Sequence, residues 1–381
     1  MKILLITSSF PSISKPNWGK KRVELAEKLI ERGHEVSVIT IDSAGKFLDD
    51  TYKGIHVVRV PQIYNPPHIF YPVPNFALLA KTLYSINVPF DVLHFFKQEY
   101  PSSLSALLNM NKPKVLSIDN FPGLDYKHGV FFIDFASFIY SMTIGKLLLT
   151  KFDRFISLCK ISVRTAMKLG VKKDRIHWIP HGIDTRKIKP DSERGKIVRQ
   201  KMRLKGPIFS FIGRLSPVKG LVYLSTAAKQ LDRSGVKGNL LIVGDGTERN
   251  RLLTLKKNEN MKVHFLGYQK NAIDFIQASD FIVLPSLSEG CPNVVLEALA
   301  CGKPVIASRV GGVPDLIHHM ETGVLVDPKD VTQLVEAIYA MISDPYKAKI
   351  MGREARKFAE RELDWDIIAG KYEKIYRDAV N

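Results

Sequence analysis

Two glutamates eight residues apart, Glu289 and Glu297, occupy the segment of this chain whose residue types best suit a polar ligand. The apolar run 281–284 predicts a buried strand, and Glu289 lies in the loop that follows it. A helix is predicted from Pro292, since proline is tolerated in a first turn, and it contains Glu297. A helix N-terminus suits a phosphate, and carboxylates accept sugar hydroxyls. The segment therefore indicates a ligand with an anionic middle and hydroxylated ends, such as a nucleotide sugar.

The cations that such a ligand needs occur in a second loop, after the predicted strand 208–212. Gly213 allows the backbone to come close to a ligand, and Arg214 can hold phosphate oxygens with two hydrogen bonds. Lys219 adds a point charge. The alternative is a strand-to-helix turn whose basic residues are only solvated, and the presence of the glutamate segment in the same chain favours ligand binding over it.

Taken together, the two loops resemble the signature of the retaining glycosyltransferases of family 4, which have the GT-B fold. The resemblance rests on Gly213-Arg-Leu-x-x-x-Lys-Gly220 and Glu289-x7-Glu297. Weaker similarities follow in the family's order over nearly the whole chain, at 2–7, 23–40, 179–184, 241–246, 263–267 and 302–307.

This resemblance implies transfer of a sugar from a nucleoside-diphosphate sugar to a hydroxyl of a glycan or lipid-linked acceptor, with retention at the anomeric carbon. Glu289 is expected to hold the sugar, Arg214 and Lys219 the diphosphate, and Glu297 the ribose. Two alternatives stay open: a nucleotide-sugar-binding protein without catalysis, and a phosphorylase or epimerase on the same fold. The predicted catalytic residues are Glu289, Asp119, Arg214 and Lys219, and the predicted substrate-binding residues are Gly19, Gly213, Arg214, Lys219, Gly290, Cys291, Asn293, Val294, Glu297, His181, Gly267 and Tyr268.

Neither a resident cofactor nor a catalytic metal is expected. No Asp-x-Asp pair stands at a predicted strand end, and Asp49 and Asp50 fall in a predicted polar loop. Arg214, Lys219 and the helix N-terminus are expected to neutralise the leaving diphosphate instead.

The first half of the chain departs from the family. Members usually carry two adjacent glycines after the first strand, whereas this chain has Gly19, preceded by Trp18, which either lines an acceptor pocket or covers the core. Asp119 stands where many members have a histidine. It either accepts the acceptor's proton or is satisfied by backbone N–H groups. His94 and His181 are expected to be structural, although His181 lies in the segment that resembles the interdomain region.

Charge and composition limit the partners. The 381 residues carry a formal net charge of +18, and 45% hydrophobic with 25% charged residues is typical of a soluble globular protein. The basic segments 146–175 and 186–205 leave three interpretations open: a solvated surface, contact with an anionic membrane, or nucleic acid, the least favoured. Segment 130–149 is apolar but interrupted, which favours a buried or interfacial helix over a span. Three cysteines without metal-like spacing fit a reducing cytoplasm, so we expect a cytoplasmic protein, peripheral at the inner membrane face if the membrane interpretation holds.

Strand-like runs alternate with helical patterns, which predicts an α/β fold of two Rossmann-like domains with parallel sheets. The expected domains are 1–184, which binds the acceptor, and 207–364, which binds the nucleotide sugar, with a polar break between them. In the resembling fold the two sheets face each other across a cleft, and the last helix, here about 365–381, packs back on the first domain. The predicted strands lie near 2–7, 34–40, 55–60, 90–96, 114–118, 154–158, 176–180, 207–212, 239–243, 262–266, 280–284, 304–307 and 323–326.

Overall fold

The computed structural model forms two compact units, Met1–Gly182 with Trp365–Asn381, and Ile183–Asp364. The C-terminal segment therefore belongs to the first unit although it follows the second in sequence. The described residues are 1–11, 19–42, 47–64, 73–85, 90–97, 101–108, 111–126, 131–253 and 259–381. Trp18 lies outside them.

A largely parallel sheet forms the first unit's centre, in the order β3-β4-β2-β1-β6-β7-β8-β9 with β5 beside β4. β3 and β5 pair with β4 antiparallel, and the other pairs are parallel. The strands are β1 (Lys2–Ile6), β2 (Glu35–Asp42), β3 (Leu48–Tyr52), β4 (Ile55–Tyr64), β5 (Val73–Pro74), β6 (Val92–Phe96), β7 (Lys114–Ile118), β8 (Arg154–Ser157) and β9 (Ile176–Trp178). The helices of this part are α1 (Lys20–Glu31), α2 (Phe76–Ser85), α3 (Phe131–Tyr140), α4 (Lys146–Leu149) and α5 (Lys160–Lys168), and a π-helical turn, Ser141–Gly145, joins α3 to α4.

The second unit has a six-stranded parallel sheet in the order β12-β11-β10-β13-β14-β15. Its strands are β10 (Ile208–Ile212), β11 (Gly238–Val243), β12 (Met261–Gly267), β13 (Phe281–Leu284), β14 (Val305–Ser308) and β15 (Gly323–Val326). Its helices are α6 (Ser192–Lys201), α7 (Leu221–Arg233), α8 (Arg249–Leu252), α9 (Ala272–Ala278), α10 (Asn293–Ala300), α11 (Val313–Leu316), α12 (Val331–Ser343) and α13 (Pro345–Phe358).

The last helix, α14 (Trp365–Val380), packs with α1 in the first unit. Trp365 donates its indole N–H to Glu24 at 2.8 Å, and Arg32 pairs with Glu373 at 2.9 Å. The buried Tyr376 places its hydroxyl 2.7 Å from a ring nitrogen of His94 on β6. The helix α14 thereby packs on the hydrophobic core between α1 and the first unit's sheet.

The prediction of two α/β domains with parallel sheets is confirmed, and every predicted strand is present. Two local expectations are wrong. Asp49 and Asp50, predicted in a polar loop, lie on the antiparallel strand β3, because they pair across it with His56 and Arg59 of β4. Its exposed residues gave no apolar pattern to detect.

The segment predicted as a break, 184–206, contains α6 and belongs to the second unit. Asp191 caps this helix by accepting from the backbone N–H of Arg194 at 2.9 Å. Arg199 then bonds the Ala278 carbonyl and Asp280 of the same unit, both at 2.7 Å. Polar contacts hold α6, so its sequence lacks a strong apolar period.

Candidate functional site

The order of strands in the second unit's parallel sheet has a switch point between β10 and β13. From β10 the chain builds outward through β11 and β12, and then returns to β13 on the other side of β10 before adding β14 and β15. At such a switch point the loops after the two central strands diverge and leave a crevice at their carboxyl ends. The loops that follow β10 and β13 are the two that the sequence predicts to bind ligand, 213–220 and 285–292.

Backbone contacts hold these two loops against each other. The N–H of Leu287 donates to the Val218 carbonyl at 2.7 Å. Gly220 has φ 64°, and a Cβ there would stand 1.9 Å from the carbonyl oxygen of Pro285. A side chain at this position would force the loops apart, so the glycine of the predicted motif is required by packing as well as by conformation.

Glu289 lies where the two loops meet, with 8% of its surface exposed. Lys219 donates to its Oε1 at 2.6 Å, and the Ser286 hydroxyl donates to the same oxygen at 2.6 Å. Because both donors approach Oε1, Oε2 is the oxygen left to accept from a ligand. The structure therefore joins the predicted cation and the predicted carboxylate in one ion pair.

The loop after β14 contacts the backbone of Glu289. The N–H of Gly312 donates to the Glu289 carbonyl oxygen at 3.3 Å. Gly311 has φ 53°, and a Cβ there would lie 1.6 Å from that same oxygen. Loops after three neighbouring strands thus hold Glu289, through its carboxylate (Lys219 and Ser286) and through its backbone carbonyl (Gly312), which is the kind of support that holds a reacting group in place.

Helix α10 begins one residue later than predicted, at Asn293, with Pro292 at its cap position. The first amides of a helix have no carbonyl one turn before them, so they can bind an anion. Gly290 and Cys291 are half-buried in the loop before the helix, and Glu297 is half-buried within it. Asn293 is exposed and Val294 half-buried, so the predicted binding segment is accessible along the first turn.

Arg214 is exposed, and among the described residues its guanidinium makes no ion pair. The backbone beside it is fixed, because the N–H of Leu215 donates to the Asp245 carbonyl at 2.9 Å. Gly213 is approached closely by Gly244, whose Cβ would stand 1.9 Å from the Gly213 oxygen. A free guanidinium on a fixed loop is suited to bidentate binding of phosphate.

Gly267 ends β12 with φ 65°, and its carbonyl accepts from the Gly244 N–H at 2.8 Å. Tyr268 follows with 68% of its surface exposed. These contacts connect the loop that contains Tyr268 to the loops that follow β10 and β11. Gly267 and Tyr268 thus lie at the same edge of the sheet as Arg214.

The first unit gathers a separate charged cluster at its own strand ends. Asp119 follows β7 and pairs with Lys97, which follows β6, at 2.9 Å. Burial raises the pKa of the Asp119 carboxyl, but Lys97, Arg22 and His181 together outweigh it and leave the pKa below its usual value. Burial lowers the pKa of His181 to about 4, so the ring is neutral at pH 7. Asp119 and His181, predicted from separate segments, are therefore close enough to influence each other's charge.

Gly19 is the N-cap residue of α1 with φ 74°, and a Cβ there would lie 2.3 Å from the Ser9 carbonyl oxygen. This glycine brings the helix start against the loop after β1. His94, by contrast, is fully buried between Tyr376 and Ser117, whose hydroxyls lie 2.7 Å from its two ring nitrogens. Both ring nitrogens are therefore occupied by structural contacts.

Known proteins resemble this chain along most of its length. Residues 194–358 match the family described as Glycosyl transferases group 1, and residues 23–187 match Glycosyltransferase Family 4. The two matched segments do not overlap and together span most of the chain. The chain belongs to glycosyltransferase family 4.

Relatives extend the similarity over both domains of this glycosyltransferase. An uncharacterised glycosyltransferase of Methanocaldococcus jannaschii is 28% identical over 87% of this chain and 86% of its own. The N,N'-diacetylbacillosaminyl-diphospho-undecaprenol alpha-1,3-N-acetylgalactosaminyltransferase of Campylobacter jejuni is 28% identical over 93% of this chain and 94% of its own. The crystal structure of Anabaena HepE in complex with UDP superposes with a TM-score of 0.77 at 21% identity, covering 99% and 100% of the two chains. The fold of the chain is GT-B.

Sequence reasoning on this glycosyltransferase missed four residues that shape its charged clusters. Ser286 and Gly311 act on Glu289, whereas Lys97 and Arg22 act on Asp119. Lys97 directly follows the apolar run of β6, so its position at a strand end was a signal that could have found it. The contact of Gly311 with Glu289 depends on the pairing of β14 with β13 and has no signal in the local sequence.

Among the described residues, no group of three or more His, Cys, Asp or Glu side chains is placed to hold a metal ion. The predicted ligand-binding charges at the second unit's switch point are Lys219, Arg214 and the α10 N-terminus on the positive side, and Glu289 and Glu297 on the negative side. The donors at this edge of the sheet suit an anion, whereas the two carboxylates suit hydroxyl groups.

Proposed function

We propose that the chain transfers a sugar from a nucleoside-diphosphate sugar to an acceptor hydroxyl with retention of anomeric configuration and without a resident metal ion. The observation that carries the proposal is the Lys219–Glu289 pair at the switch point of the second sheet. It places a cation for the diphosphate beside a fixed carboxylate for the sugar. Arg214 and the first turn of α10 extend the anion site, and Glu297 is one turn further along the helix, where it serves the ribose hydroxyls.

The diphosphate gives Lys219 a second anionic partner beside Glu289. Lys219 and Arg214 then stabilise the negative charge that grows on the leaving phosphate oxygen as its bond to the anomeric carbon breaks. Glu289 accepts hydrogen bonds from hydroxyl groups of the sugar and stabilises the positive charge that develops at the anomeric carbon. In the front-side mechanism that we propose, the leaving phosphate oxygen takes the proton of the acceptor hydroxyl, whose oxygen bonds to the same face of the sugar.

For the acceptor, we propose a hydroxyl of a glycan or of a lipid-linked saccharide, bound by the first unit. The Campylobacter relative is named for an acceptor carried on diphospho-undecaprenol, which supports this class. Asp119 is held ionised beside Lys97, so it is suited to accept a hydrogen bond from an acceptor hydroxyl. We propose that the reaction takes place in the cytoplasm, whose reducing environment suits three cysteines that make no even-numbered disulfide framework.

The experiment that tests the donor site is calorimetric titration of UDP, GDP and ADP in the presence of EDTA. Binding of one nucleotide with chelator present is expected, because Arg214, Lys219 and α10 supply the positive charge. Failure of all three nucleotides to bind contradicts the donor site. Binding that appears only after a divalent cation is added contradicts metal independence alone.

Turnover is tested with the sugar conjugates of the nucleotide that binds, and the anomeric configuration of the product is read by NMR. An α-linked product from an α-linked donor is expected, and an inverted product contradicts the mechanism. Nucleotide binding without transfer to any acceptor indicates a binding protein. Reaction of the donor alone, or of glycan with phosphate, indicates an epimerase or a phosphorylase.

A further inference from the structure

One helical stretch of the first unit exposes large apolar side chains. Residues 131–149 comprise α3, the π-helical turn and α4. They are long and apolar enough to cross a membrane, with a mean hydropathy of 1.4, and only 22% of the segment is buried. We call six of its exposed residues the apolar stripe: Phe131 (76% exposed), Phe132 (81%), Phe135 (57%), Ile139 (45%), Met142 (41%) and Leu147 (55%). Exposed apolar surfaces of this kind mark sites of interaction.

The polarity of this helical stretch is the reverse of that expected for a soluble surface helix. Small or polar residues, Asp134, Ser137, Ser141 and Gly145, recur at helical spacing on the side towards the domain, where Ser141 and Gly145 are buried. A helix on a water-facing surface places its apolar residues inward. Here no residue of α3 is buried and its large apolar residues face outward, whereas Leu148 and Leu149 of α4 pack into the core, so the environment outside α3 is expected to be apolar too.

Close contacts fix this helical stretch on the domain. The Ser141 hydroxyl donates to the Pro122 carbonyl at 2.9 Å. Gly123 lies so near α3 that a Cβ there would stand 2.3 Å from the Phe138 nitrogen. The helix therefore cannot cross a bilayer while it keeps these contacts, and it is suited to lie in the plane of a membrane interface.

Positive charge adjoins the apolar stripe at the carboxyl end of the helical stretch, and a basic helix, α5, packs on the same loop as α3. Lys146 and Lys151 are exposed at the carboxyl end of the helical stretch, and the acidic residue between 131 and 151, Asp134, lies on its inner side. Loop 121–126 packs between α3 and α5. Its Gly123 contacts α3, and its Asp125 carboxyl lies against Ser162 and Thr165 of α5. Helix α5 carries basic residues one turn apart, at Lys160, Arg164 and Lys168.

We propose that the apolar stripe inserts into the interfacial region of an anionic phospholipid bilayer, with Lys146 and Lys151 bound to the lipid headgroups. Apolar insertion combined with basic residues is the combination that holds a peripheral helix on an anionic surface. A second copy of the chain is a poorer occupant, because each copy carries a formal net charge of +18 and the two copies repel each other. This inference does not depend on the donor site proposed above.

The test is vesicle flotation of the full chain with vesicles of mixed phosphatidylcholine and phosphatidylglycerol, and with phosphatidylcholine alone. The wild type is expected to float with the anionic vesicles and to bind the neutral ones much less. The triple variant Phe132→Ser/Phe135→Ser/Ile139→Ser is expected to lose more than about tenfold in partitioning, because three apolar side chains no longer enter the bilayer.

A matched control removes three exposed apolar residues of the second unit, as Ile197→Ser/Tyr339→Ser/Tyr346→Ser. This control is expected to float like the wild type. A separate variant, Lys146→Gln/Lys151→Gln, is expected to weaken binding to anionic vesicles and to reduce the loss of binding caused by added salt. Circular dichroism and thermal melting of each variant establish that it is folded.

Several results contradict the proposal. Equal flotation of the wild type and the Phe132→Ser/Phe135→Ser/Ile139→Ser variant shows that the stripe does not enter the bilayer. Equal binding to neutral and anionic vesicles removes the role of the basic residues. A wild-type dimer in sedimentation that this variant dissolves, together with no flotation of the wild type, assigns the stripe to self-association instead.

Discussion

Replacing Lys219 with methionine removes the cation that both the diphosphate and Glu289 use. Methionine keeps most of the length of the side chain, so the change is mainly one of charge. We expect Lys219→Met to lose most turnover, to bind the nucleotide more weakly, and to destabilise the second unit by a smaller amount. The three effects have separate origins in the structure and can be measured separately.

The size of each effect follows from the contacts of Lys219. A hydrogen bond to a charged group contributes about 1.5–3 kcal/mol, which corresponds to roughly 10- to 150-fold in nucleotide affinity. Loss of a donor that stabilises charge in the transition state costs a further factor of about 10²–10³ in kcat. For stability, removing one partner of a buried pair costs about 3–5 kcal/mol. The Lys219 side chain is 23% exposed, and Ser286 still donates to Glu289, so the expected loss is about 1–3 kcal/mol.

The assays are calorimetry with the nucleotide that the wild type binds, steady-state kinetics with its sugar conjugate, and urea unfolding. Lys237→Met is the matched control, because Lys237 is an exposed lysine of the same unit outside the candidate site. The double variant Lys219→Met/Glu289→Gln removes the unpaired charge as well. It is expected to recover part of the lost stability and none of the lost turnover.

Kinetic constants of Lys219→Met within about threefold of the wild type, with unchanged nucleotide affinity, would refute this assignment, since even one lost charged hydrogen bond exceeds that factor. A double variant whose loss of stability equals the sum of the single losses would show that Lys219 and Glu289 are not coupled as the 2.6 Å contact indicates.

Three further predictions concern other residues. Gly311→Ala is expected to lower both turnover and the melting temperature, because its Cβ would collide with the Glu289 carbonyl oxygen; wild-type activity would contradict this. Glu297→Gln is expected to weaken binding of the nucleoside diphosphate and to leave inorganic diphosphate binding unchanged; equal effects on both ligands in calorimetry would remove the ribose assignment. Burial lowers the pKa of His94 to about 3 from 6.5, so the unfolded chain takes up the proton first and stability falls as the pH drops below 6.5. That term amounts to about 2 kcal/mol between pH 7 and pH 5, and His94→Gln is expected to abolish it, as measured by urea unfolding followed through tryptophan fluorescence; an unchanged pH dependence in the variant would refute it. The two tryptophans among the described residues, Trp178 and Trp365, belong to the first unit, which also contains His94.

The buried parallel strands of both sheets could be predicted from the sequence, because each is a short apolar run. The runs 208–212 and 281–284 are both fully buried in the structure, and the loops that follow them were correctly placed at strand ends. Strand β3 is exposed, and helix α6 is held by polar contacts. Neither element was predicted, because neither has an apolar pattern. Periodicity detects burial, and these two elements are held by hydrogen bonds and ion pairs instead.

The sequence by itself determined which residue types surround the candidate donor site and in which order the strands occur. Only the tertiary structure decided that Lys219 contacts Glu289, that Gly311 supports it, and that Lys97 lies beside Asp119. These contacts join loops that follow different strands, and the order of strands in a sheet fixes which loops are neighbours. That order depends on how helices and strands pack across the whole domain, so it is a property of the fold and cannot be read from any local segment.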